Sequence, residues 1–323
     1  MVAGMANLNS KNSINFAILG TGYMAQEYVK VLKSLKLNKT ISVLGSSSHK
    51  SKLFKKNNKL DYAAKSIKDL KSKFNPNYLI ICVREEKLYQ LIDKIIKYNW
   101  KCLCEKPMGY NFIQTKKIVN KLTKKNIKRF YIGLNRRAYY STNLATQILK
   151  KKIFEKNRII EIIGQEDLNH QKLIGTSKKV INNFMYVNSV HLIDYTNIFC
   201  RGDIKSIKTL SSYKGNQPHI VSKIIYFTSG DKCFYKCYWN IEARWSVIIK
   251  AKKSYIKLKP LEKISSSFKF SQLKNKKLEK WDKIFKPGIK NQLLDLIKKK
   301  QTLLLTPYEY LELAKRIKKI YFK

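Results

Sequence analysis

The stretch Asn15-Phe16-Ala17-Ile18-Leu19-Gly20-Thr21-Gly22-Tyr23-Met24-Ala25 decides the fold. An apolar run feeds a glycine turn, and a helical pattern follows at once. Gly20 permits the tight turn. Gly22 lacks a side chain, so a pyrophosphate can approach the backbone. Ala25 is small enough for the new helix to lie close on its strand. The helix N-terminus offers N–H groups and the positive end of its dipole to phosphates. The pattern is G-x-G-x-x-G/A, set between a predicted strand and a predicted helix, which is the context a dinucleotide-binding unit requires.

Working outward, strand and helix alternate. Strands are predicted at Asn15–Leu19, Ile41–Leu44, Tyr78–Val83, Cys102–Cys104 and Phe130–Leu134. Helices are predicted at Met24–Leu35, Lys50–Lys56, Lys87–Tyr98 and Phe112–Leu122, the first with Tyr28, Val31, Leu32 and Leu35 on one face. This alternation implies a doubly wound parallel sheet over residues 12–134. Beyond it the pattern changes. A helix at Asn143–Lys150 and a strand at Ile159–Ile163 precede a helix within Phe184–Phe199, regular from Val190 onward. Strands then follow at Ile204–Leu210, Ile220–Phe227, Cys233–Trp239, Trp245–Ala251 and Tyr255–Leu258. They read as an open, mostly antiparallel sheet. Helices Ile289–Lys298 and Tyr308–Tyr321 close the chain, the second opened by Thr306 as N-cap and Pro307 at its first position. The expected architecture is α/β: a Rossmann domain at 12–134 and an α+β domain at 135–323 for substrate binding and oligomerisation.

Composition bounds the function. Hydrophobic residues make up 44% of the 323, enough for sizeable cores. No apolar run approaches the roughly 20 residues of a membrane span. Met1–Lys11 is small and polar, without the apolar centre of a signal peptide, and reads as a tail on a cytoplasmic protein. The six cysteines contain no C-x-x-C pair, so a zinc site is not expected and they read as reduced, buried thiols. The formal charge is +46. It would suit a nucleic acid, but the excess is lysine spread along the whole chain, arginine is scarce, and no nucleic-acid-binding signature occurs. Attraction of small anionic ligands is the expected consequence.

Cys104-Glu105-Lys106-Pro107 follows a strand and precedes a helix, so Lys106 stands at a strand C-terminus, the ligand side of a doubly wound sheet. With the glycine turn, the Glu105-Lys106-Pro107 triplet, Gly133-Leu134-Asn135-Arg136-Arg137 and Ser189-Val190-His191-Leu192-Ile193-Asp194 in this order, the chain resembles the Gfo/Idh/MocA oxidoreductases, named for glucose–fructose oxidoreductase and inositol dehydrogenase. The resemblance covers nearly the whole chain. It implies hydride transfer between a nicotinamide cofactor and a sugar or sugar-nucleotide substrate, in dimers or tetramers. It implies Lys106 as the group that hydrogen-bonds the reacting hydroxyl and His191 as the acid/base partner. Arg137, Asn188 and Asp194 are the expected substrate contacts. The expected cofactor contacts are Gly20, Gly22, Tyr23, Met24 and Ala25, then Ser46 and Ser47 after the second strand, and Glu105.

Two departures bear on chemistry. The family commonly has an acid four residues before this histidine, in a D-x-G-x-H pattern; here Val187 stands there and Ser189 replaces the glycine. An altered activity, or a non-catalytic relative that binds nucleotide or sugar as a sensor or assembly partner, is the alternative this raises. Further, Gly45-Ser46-Ser47-Ser48-His49-Lys50 carries no carboxylate where NAD-dependent proteins often bind the ribose 2′-hydroxyl. Small hydroxyls and a lysine suit a 2′-phosphate, which favours NADP over NAD. Arg84, after Val83, is a further cation at a strand C-terminus.

Overall fold

The computed structural model describes residues 13–150, 157–298 and 301–322; the Met1–Lys11 tail lies outside them. The chain forms two compact units. One holds the residues up to Gly109, with Lys116–Gly133 and Gln292–Tyr308. The other holds Tyr110–Thr115, Leu134–Asn291 and the residues from Glu309.

In the first unit the elements run β1 (Ile14–Leu19), α1 (Tyr23–Ser34), β2 (Lys39–Leu44), α2 (Ser48–Asn58), β3 (Tyr62–Ala63), α3 (Ile67–Lys73), β4 (Tyr78–Ile81), α4 (Leu88–Ile95), β5 (Lys101–Glu105), α5 (Phe112–Lys121), α6 (Lys124–Ile127) and β6 (Phe130–Gly133). The sheet order is β3-β2-β1-β4-β5-β6, and every neighbouring pair is parallel. This is the Rossmann order, with its reversal between β1 and β4. Phe16, Ala17 and Ile18 of β1 are fully buried, as expected of a strand covered on both faces. Tyr28, Val31 and Leu32 form the buried stripe of α1. The two-residue β3 and the short α3 were not legible as elements, being too brief to show a period. Gln292–Tyr308 returns to this unit. There Leu305 bridges Ile132 of the edge strand β6 with two backbone hydrogen bonds, which covers an edge otherwise open to pairing.

The second unit adds α7 (Tyr140–Leu149), β7 (Ile159–Glu166), α8 (Leu168–Leu173), α9 (Lys178–Ile181) and α10 (Val190–Phe199). Then come β8 (Ile204–Ser211), β9 (His219–Phe227), β10 (Lys232–Trp239), β11 (Ser246–Ala251), β12 (Ser254–Leu258), β13 (Ser265–Phe268), β14 (Lys274–Asn275) and α11 (Lys280–Ile284), followed by α12 (Ile289–Ile297), whose residues from Gln292 belong to the first unit, and α13 (Pro307–Phe322). The eight-stranded order is β14-β13-β12-β11-β7-β10-β9-β8. All neighbours are antiparallel except β7 and β10, which run parallel. Successive strands do not all pair here, because β7, first in sequence, is inserted between β11 and β10.

One face of this sheet is core. Ile160 and Ile162 of β7 and Cys233, Tyr235, Cys237 and Trp239 of β10 are fully buried. Helix α10 packs over β7. Gly164 makes that approach possible, since a Cβ there would stand 2.5 Å from Leu192 Cδ1. The opposite face carries half-exposed Ile163, Ile224, Phe234, Tyr238, Ile248 and Tyr255. The expected helix over 184–199 divides in two: a π-helical turn at Met185–Ser189 and then α10. Among the described residues, no helix is long and apolar enough to cross a membrane.

A buried acid ties the β9–β10 turn to the end of α10. Asp231 Oδ1 accepts from Arg158 N at 2.8 Å and Arg201 Nη2 at 2.7 Å, and Oδ2 accepts from Arg201 N at 2.9 Å and Nε at 3.0 Å. Burial works to raise the Asp231 pKa, but the bonds from Arg201 and Arg158 outweigh it and hold it below the ordinary carboxylate value. Its contribution is therefore complete above the unfolded-state value of about 4 and is lost as pH falls through the lower folded-state value. Asp231→Asn should cost roughly 3 kcal/mol at neutral pH. Thermal melts across the acid range should show a flatter pH dependence than the parent. An unchanged acid slope would refute the assignment.

Candidate functional site

The turn between β1 and α1 is stitched to both flanking strands: Gly20 N donates to Leu44 O at 2.9 Å and Cys82 N donates to Leu19 O at 2.8 Å. Gly20 adopts φ +120°, and a Cβ there would meet the Cys82 carbonyl oxygen at 2.3 Å. Only glycine fits. Gly22 is different. Its φ of −86° suits any residue, and nothing lies within 4 Å of where its Cβ would stand. It is the N-cap of α1 and supplies no side-chain cap, so the first N–H groups of the helix are presented to whatever occupies the space above. Ala25 is fully buried against the sheet, Met24 is half-buried and Tyr23 is exposed.

The turn opens on a cleft of about 1300 Å³. Gly20, Gly22 and Ser46 line it. So do Lys50 of α2, Lys65 and Lys68 around the start of α3, and Arg84 and Lys87 after β4. Among the described residues no carboxylate lines it, while Leu53, Phe54 and Leu91 give it apolar surface. Cations with apolar flanks suit a phosphate-bearing aromatic ligand. Ser47 is not in the lining; its hydroxyl accepts from Lys50 N at 3.2 Å and caps α2. Cys82 lies at the cleft, but burial, with Glu105 nearby, pushes its thiol well above the ordinary range. It is a poor thiolate there. All six cysteines are free thiols.

Glu105 ends β5 and Lys106 follows it. Glu105 is buried, and its Oε1 accepts from Tyr28 Oη at 2.5 Å. Tyr28 Oη also lies 3.0 Å from Gln292 Oε1. Burial, then the Glu105 charge, pushes the Tyr28 phenol well above its ordinary range, so it stays a donor. Glu105 thus fastens the backbone beside Lys106 to α1, the helix that begins at the glycine turn. Lys106 is half-exposed, and its bond to Pro107 is cis.

In the second unit His191 and Asp194 lie on α10, each 2% exposed. Arg137 forks onto Asp194: Nε donates to Oδ2 at 2.8 Å and Nη2 to Oδ1 at 2.7 Å. Burial disfavours the guanidinium charge, but Asp194 more than offsets it and holds the Arg137 pKa above its ordinary value. The two expected substrate contacts are thus paired with each other. Asn188, the third, donates from Nδ2 to Glu166 Oε2 at 2.7 Å. Val187 is buried.

Sequence reasoning missed four participants. Glu166 ends β7 beyond the predicted strand, although inward-facing Ile160, Ile162 and Gly164 lead to it at period two. Lys65 and Lys68 flank the start of α3, which has too few residues to show a pattern. Gln292 meets Tyr28 across 264 positions of sequence, with no local signal. Among the described residues, no three His, Cys, Asp or Glu side chains gather as metal ligands.

Residues 14–133 match the oxidoreductase family, NAD-binding Rossmann fold, of Gfo/Idh/MocA type. Curated protein sequences give no match. Several solved structures share the fold. The UDP-N-acetylglucosamine 3-dehydrogenase of Acidithiobacillus ferrooxidans has 12% identity and a TM-score of 0.73, covering 96% of this chain and 97% of its own. A dehydrogenase of Chromobacterium violaceum has 12% identity and a TM-score of 0.78, covering 96% and 95%. An oxidoreductase of Thermotoga maritima has 19% identity and a TM-score of 0.74, covering 96% of both.

The two turn glycines should fail differently. Gly22→Val has open space around its Cβ, so the protein should stay folded at the modest cost of a poorer N-cap, while affinity for a nicotinamide dinucleotide, read by calorimetry, should fall at least about tenfold as the phosphate approach is blocked. Gly20→Ala should instead destabilise the fold by roughly 1–3 kcal/mol. Undiminished binding by Gly22→Val would remove the turn from the site.

Proposed function

We propose that the chain, whose residues 14–133 match the NAD-binding Rossmann fold of the Gfo/Idh/MocA oxidoreductases, works as an NAD(P)-dependent dehydrogenase of that kind, and that the hydride moves between nicotinamide and a carbinol or carbonyl carbon of a sugar or nucleotide-sugar. One observation carries the cofactor half of this reading: an uncapped helix N-terminus behind a side-chain-free Gly22, opening on a cleft lined by cations and no carboxylate. Gly20, Gly22 and the start of α1 would hold the diphosphate. Ser46, with Lys50, Lys65 and Lys68, would meet a ribose 2′-phosphate, and the lack of a carboxylate there favours NADP over NAD. The substrate half rests on Lys106, on His191 and on the fold shared with a dehydrogenase of a UDP-sugar.

When bound, the nicotinamide ring supplies the two-electron acceptor or donor. The chain's residues handle the proton. Lys106 hydrogen-bonds the reacting oxygen, and its ammonium stabilises negative charge as an alkoxide develops. His191 takes the proton in oxidation and returns it in reduction. Asp194 acts through Arg137, fixing the guanidinium with both carboxylate oxygens. Tyr28 holds Glu105 and so steadies the backbone that carries Lys106.

Purified protein should bind NADPH more tightly than NADH, and Ser46→Asp should reverse that order. On a panel of sugars and nucleotide-sugars, Lys106→Ala should lower kcat by about 10²–10⁴-fold while NADPH binding persists. Near-parental turnover by that variant would sink the lysine's role. Failure of both cofactors to bind would sink the reading as a whole.

We infer further that the protein is a homo-oligomer. The half-exposed apolar face of the eight-stranded sheet, crossed by the Lys250–Glu161 pair at 2.6 Å, is the surface a second copy would cover. Light scattering should give a multiple of 37.9 kDa, and Phe234→Lys should shift the population toward monomer. A monomeric parent at micromolar concentration would contradict this.

A further inference from the structure

We infer that Glu166 is a positioning residue for His191, supplying from strand β7 the carboxylate that the turn before α10 lacks at Val187. This rests on the acid/base role proposed for His191. Four residues of β7 face the core: Ile160, Ile162, Gly164 and Glu166. The two isoleucines are fully buried, and Glu166 is 1% exposed. Apolar packing alone would place another isoleucine or valine there; burying a carboxylate is costly unless it is engaged. Its placement is specific. Gly164, two residues earlier, is where Leu192 presses on the strand, so the first turn of α10 lies over the end of β7.

Glu166 engages that turn with both oxygens. Oε1 accepts from Ser189 Oγ at 2.6 Å, and Oε2 accepts from Asn188 Nδ2 at 2.7 Å. Ser189 and Asn188 stand two and three positions before His191, in the π-helical turn that leads into α10. A π turn carries a looser backbone geometry than an α turn, so the direction in which α10 starts depends on what pins that turn. Behind it the hydroxyl protons run one way. Tyr321 Oη donates to Ser189 Oγ at 3.2 Å, which directs the 2.7 Å contact between Tyr235 and Tyr321 so that Tyr235 donates. The chain Tyr235, Tyr321, Ser189 ends on Glu166 as acceptor. A glutamine there would turn an N–H donor toward one of two groups that already donate, so Glu166→Gln breaks this order while conserving size.

The test uses the full-length protein with ring-labelled histidine. The chain has four histidines, so the His191 signal is assigned by its absence in His191→Asn. In Glu166→Gln the His191 ring signal should move while those of His49, His170 and His219 stay. NADPH affinity should stay within about twofold, since the cofactor cleft belongs to the other unit. Turnover should fall about ten- to a hundredfold in kcat, the size of one charge-assisted hydrogen bond, with KM little changed. Glu166→Asp, which keeps the acceptor, should recover part of the loss. A merely structural role would lower the melting temperature and leave the His191 signal and kcat of the folded fraction alone. An unmoved His191 signal in folded Glu166→Gln overturns the inference even if no sugar is turned over. A moved signal in a protein without turnover on any substrate upholds Glu166's role and defeats the catalytic reading instead.

Discussion

The absence of one methyl group at Gly20 organises the first unit. Gly20 N donates to Leu44 O of β2, Leu19 O of β1 accepts from Cys82 N just after β4, and the Cys82 carbonyl lies so near Gly20 that a Cβ there would stand 2.3 Å away. Gly20 lies where the sheet order reverses, so the connections on either side diverge and leave a crevice. The turn must clear β4 before α1 can start, and a residue at φ +120° is how it does so. The cleft, the exposed helix N-terminus and the alignment of Tyr28 with Glu105 all follow from where α1 begins.

The second unit meets an analogous constraint with a different glycine. Helix α10 is buried around nearly its whole circumference, from Val190 through Thr196 and at Phe199. Such a helix can carry polar groups only if each finds a partner. Asp194 has Arg137, and the preceding turn has Glu166. Gly164 sets how near the helix comes to β7, and that nearness brings the Glu166 carboxylate to Asn188 and Ser189. Packing and polar placement are therefore one problem here: moving the helix outward to fit a larger residue would lengthen those hydrogen bonds.

How much of this was legible depended on the range of the interaction. The β1–α1 turn is local: glycine spacing, strand and helix lie within a dozen residues, so backbone chemistry could be read directly. The β1 and α1 stripes show because their periods repeat. The helix start at Pro307 needs only its own φ restriction. By contrast, the parallel pairing of β7 with β10 spans more than 70 positions and leaves no periodic trace, so the strands after α10 read as a simple succession. The roles of single residues were hardest. Arg137 and Asp194 were recognised as charged residues in suitable places, yet nothing local indicates that each is the other's partner 57 positions away. Glu166 follows an apolar strand pattern and reads as its polar end; only the arrival of α10 over β7 makes it an interior group.

The net charge takes on a different meaning once these placements are known. Lysine and arginine number 67 against 21 aspartates and glutamates. Among the described residues six of those acids are buried: Glu27, Glu105, Glu166, Asp194, Asp231 and Asp295. Glu105 receives Tyr28, Asp231 joins a turn to Arg201, and Asp295 collects the backbone N–H groups of Thr302, Leu303 and Leu304. Acids are thus drawn inward, where hydrogen-bond geometry requires an acceptor, and the surface is left still more cationic than the composition suggests. A field of one sign opposes compactness through self-repulsion and raises the rate at which anions arrive. The carboxylate-free cleft at the glycine turn lies within that field. Its selectivity must come from the shape of the turn and the arrangement of the lysines around Ser46, because attraction alone is shared with the rest of the surface.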